Sequence, residues 1–131
     1  MKYFLTLALS LLVTQVSFAH EGHDHGAASF QAPKGGILKS IENSHFELVR
    51  SGQFVQIYAY DNEGKALATS KFKTSAELQL PRKKKEVLTL NDKGTHWEAQ
   101  VNSQGAHRFT VKFNTDDGKE KDYVSFTVET K

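Results

Sequence analysis

From Gly35 to the C-terminus, the apolar residues of this chain recur at every second position, in short runs cut by turn-forming residues. That is the period of a half-buried strand, whose successive side chains point to opposite faces. Phe109, Val111 and Phe113 share one face of a run over 107–113, and Val124, Phe126 and Val128 share one face of 123–128. Over 53–61, Val55, Ile57 and Ala59 alternate with Phe54, Tyr58 and Tyr60; over 45–50, Phe46 and Leu48 oppose His45, Glu47 and Val49. Further runs lie at 37–41, 76–80, 86–90 and 95–101, the last with Trp97, Ala99 and Val101 on one side. Turn chemistry separates them: Ser51-Gly52, Asn62-Glu63-Gly64-Lys65, Asn91 to Gly94, Asn102 to Gly105 and a polar stretch over 114–119. Residues 66–75 show no period and read as a loop or an irregular edge, and no helical period of useful length occurs.

Seven or eight short strands in one stretch from residue 35 to 131 predict an all-β fold: a single antiparallel immunoglobulin-like β-sandwich. A small closed barrel is the second choice. Trp97 is the expected core plug. The turn at 102–105 is expected to close a hairpin with Val101 opposite Ala106, His107 opposite Gln100 and His96 beside Val111.

The residues before this domain read differently. Lys2, an apolar run over 4–13 and Ser17-Phe18-Ala19 have the layout of a secretory signal over 1–19, too short to span a bilayer and with no stop-transfer segment behind it. The expectation is a periplasmic or secreted protein with no stable membrane insertion after cleavage. Removing residues 1–19 from 131 leaves 112, room for one domain. Lys2 is the one charge lost, so the net charge falls from +2 to +1, which predicts no nucleic-acid partner. With no Cys, an exported chain of this size relies on its apolar core alone.

Residues 20–34 read as a flexible His-rich arm, opening HEGHDHG, ahead of a domain over 35–131. Three of the six histidines lie in those seven residues: His20, His23 and His25, with Glu21 and Asp24 between them. Imidazole is the commonest protein ligand for borderline divalent metals, and carboxylates complete such shells. His23 and His25 are one residue apart, so a flexible backbone can wrap both onto one ion. The only Met is Met1, and without thiolate or thioether the expected ion is Zn(II), Cu(II), Ni(II) or Co(II) rather than Cu(I). Cleavage after Ala19 would also give His20 an α-amine able to chelate Cu(II) together with its Nδ1. Binding is expected to weaken as pH falls through the histidine range near about 6.5.

The stretch PKGGILKSIENSHFELV, Pro33 to Val49, resembles the small periplasmic β-domains associated with heavy-metal efflux adaptor (membrane fusion) proteins. Those carry a His-rich leader, a Pro-His-Gly-Gly motif, a His-x-Glu-(Leu/Val) strand, and a Tyr-containing strand ending in Asp-x-x-Gly-Lys. The matching residues here are His20, His23 and His25; Pro33-Lys34-Gly35-Gly36; His45-Phe46-Glu47-Leu48-Val49; and Ile57-Tyr58-Ala59-Tyr60-Asp61 with Gly64-Lys65. The resemblance spans roughly residues 20–80. It implies metal binding linked to efflux or resistance, with an efflux-system component as a partner, and it raises the standing of His45 and Glu47 as ligands. One position departs: Lys34 stands where the motif has His, and a protonated Lys does not ligate. At i and i+2 on a strand, His45 and Glu47 share a face about 6–7 Å apart, opposite Phe46 and Leu48 and hence expected to point to solvent.

Other groups carry less. His96 and Glu98 repeat the His-x-Glu spacing on an outward face, and His107 reads as a strand-end residue. Pro81-Arg82-Lys83-Lys84-Lys85 is a basic run able to bind anionic lipid or polyanion electrostatically, and reads more simply as a solvated loop between two strands that also guards an edge against pairing. No Gly-x-Ser-x-Gly, cysteine nucleophile or His-Glu-x-x-His occurs, and nothing argues for an enzyme. Two readings remain. One is binding of a divalent transition metal for buffering, sensing or delivery, through His20, His23, His25, Asp24, His45 and Glu47. The other is an immunoglobulin-like interaction or structural module of the cell envelope without a metal role.

Overall fold

The computed structural model describes residues 30–130. Ten strands run β1 Ile37–Ile41, β2 Ser44–Ser51, β3 Phe54–Asp61, β4 Ala66–Leu67, β5 Lys73–Gln79, β6 Glu86–Leu88, β7 Asn91–Asp92, β8 Trp97–Gln100, β9 Arg108–Asp116 and β10 Lys121–Glu129. One sheet has the order β1-β2-β3-β8-β7, with β4 beside the C-terminal half of β3; the other has the order β10-β9-β5-β6. All pairings are antiparallel. The fold is the all-β sandwich the alternation predicts. The unpatterned stretch 66–75 resolves into β4, a single 3-10 turn at Thr69–Lys71 and the start of β5.

The two sheets bury the alternating residues against each other. Phe46, Leu48, Val55, Ile57, Ala59, Trp97 and Ala99 from the first sheet meet Ala76, Leu78, Phe109, Val111, Phe113, Val124, Phe126 and Val128 from the second. Each such Val, Leu, Ile or Phe contributes about 1.5–3 kcal/mol of apolar burial. Trp97 is the plug expected of it, with its ring centroid 5.1 Å from Phe113 and 6.1 Å from Phe72.

One expectation fails here. The turn at 102–105 forms, with the Ala106 N–H donating to the Ser103 carbonyl at 2.9 Å, but it closes no hairpin. β8 pairs with β3 and β7, while β9 pairs with β5 and β10, so the turn carries the chain from one sheet to the other. His107 therefore does not face Gln100, nor His96 Val111. The cause is nonlocal: β3 offers β8 a full partner edge over Phe54–Ile57, which no local turn signal reveals. Residues 30–34, the end of the arm, are seated on the outer face of the first sheet.

Candidate functional site

The outer face of the first sheet is built from the residues that alternate with its core. Register sets Ser40, His45 and Tyr60 side by side across β1, β2 and β3, and Glu47 beside Tyr58 in the next row. The segment from Phe30 to Gly36 lies over these two rows as a strap. Its backbone closes a turn, the Gly35 N–H donating to the Ala32 carbonyl at 3.1 Å, with Gly35 at φ 71°.

Glu47 anchors the strap. Its side chain is fully buried, at 0% exposure. Its Oε2 accepts the Gly36 N–H at 2.8 Å and the Lys34 N–H at 3.0 Å, and its Oε1 accepts the Tyr60 hydroxyl at 2.8 Å. A buried carboxylate needs such donors, because stripping its water without replacing it is costly. Gly36 is required for the approach: a Cβ there would stand 2.3 Å from the Leu48 carbonyl oxygen. Burial, and then the hydrogen bond to Glu47, drive the Tyr60 phenol far above its ordinary pKa.

His45 is covered by Phe30, the first residue described. The two rings stack at 4.6 Å and 29°, and Phe30 meets Tyr60 edge-on at 5.6 Å. Phe30 also rests on Gly64, where a Cβ would come within 2.7 Å of its ring. Gly64 sits at φ 84° in a turn organised by Asp61, whose Oδ1 accepts the N–H groups of Glu63 and Lys65, both at 2.9 Å. On the opposite side, the Ser40 hydroxyl is 2.6 Å from His45 Nδ1. Burial lowers the imidazole pKa, partly offset by the Asp61 carboxylate, so His45 is neutral at neutral pH.

Beside this lies a looser group. The Lys34 ammonium stands 4.6 Å from the centre of the Tyr58 ring, and His96 stacks on the same ring at 4.8 Å. Tyr58 donates to Gln56 Oε1 at 3.0 Å, and Gln56 donates to Glu98 at 3.2 Å. Burial, then the carboxylates of Glu47 and Glu98, raise the Tyr58 pKa.

The expectation that His45 and Glu47 point to solvent is corrected. They do lie opposite Phe46 and Leu48, but they are 5% and 0% exposed because the strap covers that face. Glu47 already accepts three donors, and ligation would have to break those bonds. His45 can still ligate through Nε2 in the tautomer whose Nδ1–H donates to Ser40, a second-layer contact of the kind that orients metal-bound imidazoles. Among the described residues, no group of three or more His, Cys, Asp or Glu side chains lies close enough to hold one ion. His20, Glu21, His23, Asp24 and His25 lie outside the described residues. Sequence reading missed Phe30, Ser40 and Tyr60. Phe30 had one signal, as the single aromatic between Ala19 and Pro33.

No family model matches the chain, and no curated protein matches it. Its fold is similar to that in the crystal structure, at 2.09 Å, of a DUF4426 family protein from Pseudomonas aeruginosa PAO1. The TM-score is 0.52 at 10% identity, over 71% of this chain and 94% of that one. At such identity the likeness concerns the fold alone.

Proposed function

We propose that this is an exported protein that binds a divalent transition metal, Zn(II), Cu(II), Ni(II) or Co(II), in a buffering, sensing or delivery role linked to metal efflux. His20, His23 and His25 capture the ion, assisted by Asp24 or Glu21, and His45 supplies a docking imidazole on the sandwich. Glu47 acts as the anchor of the strap. One observation carries the reading: Phe30 lies on His45, so the His-rich segment enters the domain at its one buried imidazole among the described residues. His25 is five residues before Phe30, and an extended chain of that length reaches at most about 17 Å, so His25 is tethered within that distance of the residue that covers His45. A neutral imidazole is the ligating form. The mechanism is coordination and exchange, with no covalent step.

The second reading, a cell-envelope interaction or structural module with no metal role, is favoured by the clamp itself. Gly36, Glu47, Tyr60, Asp61 and Gly64, which carry much of the efflux-adaptor resemblance, are all used in internal contacts. Calorimetric titration of the chain from His20 onward with Zn(II), Cu(II) and Ni(II) separates the readings. The metal reading expects saturable binding that is lost on deletion of residues 20–26 and weakened about tenfold by His45→Ala. Binding no tighter than that of a scrambled polar peptide would leave the structural module.

A further inference from the structure

At the other end of β2 from His45, the sandwich opens into a cleft of about 580 Å³, within the roughly 300–1,000 Å³ range of small-molecule sites. Two turns form its walls. Leu80-Pro81-Arg82-Lys83 is closed by the Lys83 N–H donating to the Leu80 carbonyl at 3.2 Å, with Arg82 at φ 62°. Ser103 to Ala106 is the sheet-to-sheet turn already described, with Gln104 at φ 50°. Arg82 and Gln104 are the two non-glycine residues with positive φ among the described residues; Gln104 lines the cleft, and Arg82 lies between Pro81 and Lys83, which do. Such backbone is sparsely populated and collects at functional places.

The turns are also tied down. The Gln79 amide donates to the carbonyls of Leu80, at 2.9 Å, and of Lys83. The Lys83 ammonium donates to the Gln104 side-chain oxygen, joining one wall to the other. Thr130 braces the second turn, its hydroxyl donating to the Ala106 carbonyl at 2.6 Å.

The cleft has two chemistries. Leu80, Pro81 and Ala106 give it apolar wall. Lys83 and Arg108 give it cationic donors and His107 an imidazole, with Glu129 the one acid among its lining residues. Arg82, Lys84 and Lys85 extend the positive charge along the rim. Among the described residues the one ion pair is Lys65–Glu63, so neither Lys83 nor Arg108 has a carboxylate within 4.0 Å. Glu129, the cross-strand partner of Arg108, offsets part of this charge, and the excess that remains in a concave, partly apolar setting raises the local concentration of anions above that at an open surface.

We propose that this cleft binds a monomeric amphiphilic anion, its phosphate or carboxylate head held by Lys83 and Arg108 and its hydrocarbon body against Leu80, Pro81 and Ala106. The site is separate from the His45 face and stands whether or not the chain binds metal. Titration of the chain with decyl phosphate and with decanoate, each below its aggregation concentration, tests it and distinguishes the two heads. The expected result is one-to-one binding of at least one amphiphile, at least tenfold tighter than inorganic phosphate. Lys83→Gln with Arg108→Gln should weaken it at least tenfold at an unchanged melting temperature, while Lys65→Gln leaves it intact. Amide shifts confined to 80–83 and 103–108 would locate it. Three results would overturn the proposal: no saturable binding of either amphiphile, binding that survives the double substitution, or binding to phosphatidylglycerol vesicles with none to the monomers, which would make this end a membrane-surface patch.

Discussion

Glu47 shows what a single buried charge does in this protein. Its oxygens replace their lost water with two backbone N–H groups and one phenol, so the carboxylate ties the strap, β2 and β3 together. Glu47→Gln keeps the shape and every partner, since its carbonyl can take the two backbone N–H groups while its N–H2 donates to the Tyr60 oxygen, but the charge is lost. The expected cost is about 1–2 kcal/mol, from charge-assisted bonds weakened to neutral ones. Urea unfolding reads it as a lower midpoint at unchanged slope; a change below about 0.5 kcal/mol would show that the charge does not hold the strap. Arg82 makes the opposite point. Left-handed backbone costs an L residue about 1–2 kcal/mol, and glycine there gives back about 0.5–1 kcal/mol in chain entropy. Arg82→Gly should therefore stabilise the fold by roughly 0.5–1 kcal/mol on the same measurement. Tyr60 gives a pH signature. Its pKa is raised in the fold, so the unfolded chain releases the proton near about pH 10 and the folded chain only at higher pH. This contribution is whole below about pH 10 and is lost as pH rises above it. Tyr60→Phe should flatten that alkaline decline relative to the parent chain, and matching slopes would count against the linkage.

At the scale of elements, the strap is the part that turns an ordinary sheet face into a site. It has no ladder of its own and is held by Glu47 and by the stacking of Phe30 on His45. Phe30→Ala should uncover the imidazole while leaving the sandwich folded. Because burial is the main cause of the lowered His45 pKa, its titration midpoint, followed by NMR, should move up toward about 6.5. An unmoved midpoint would mean that Phe30 is not the cover. Gly36→Ala attacks the other attachment. A Cβ would press on the Leu48 backbone, which cannot swing away, so a loss of about 1–3 kcal/mol is expected. The connection after β8 is the second decisive element, since by crossing between sheets it places Gln104 beside Lys83 and shapes the cleft.

For the molecule as a whole, the two sheets share one core, and Trp97 sits within it against Phe72 and Phe113. Trp97 emission should therefore change together with far-UV circular dichroism in one urea transition, and separated midpoints would show the sheets melting apart. The sequence by itself determined eight of the ten strands, missing the two-residue β4 and β7, together with most of the turns and which residues face the core, because the two-residue alternation is a property of the local backbone. It placed Phe46 and Leu48 inside and His45 and Glu47 on the other face. It also marked the turn at 62–65, which forms with Gly64 at φ 84°. Tertiary structure alone decided what lies over that other face and which strand each edge joins. Phe30 reaches His45 across fifteen positions, Gly36 reaches Glu47 across eleven, and β8 leaves β9 for β3. Alternation names a face but not its cover, since the cover depends on where a distant part of the chain settles once the sheets have formed. That is why two residues read as solvent-facing ligands lie buried, one as a neutral imidazole and the other as the anchor of the strap.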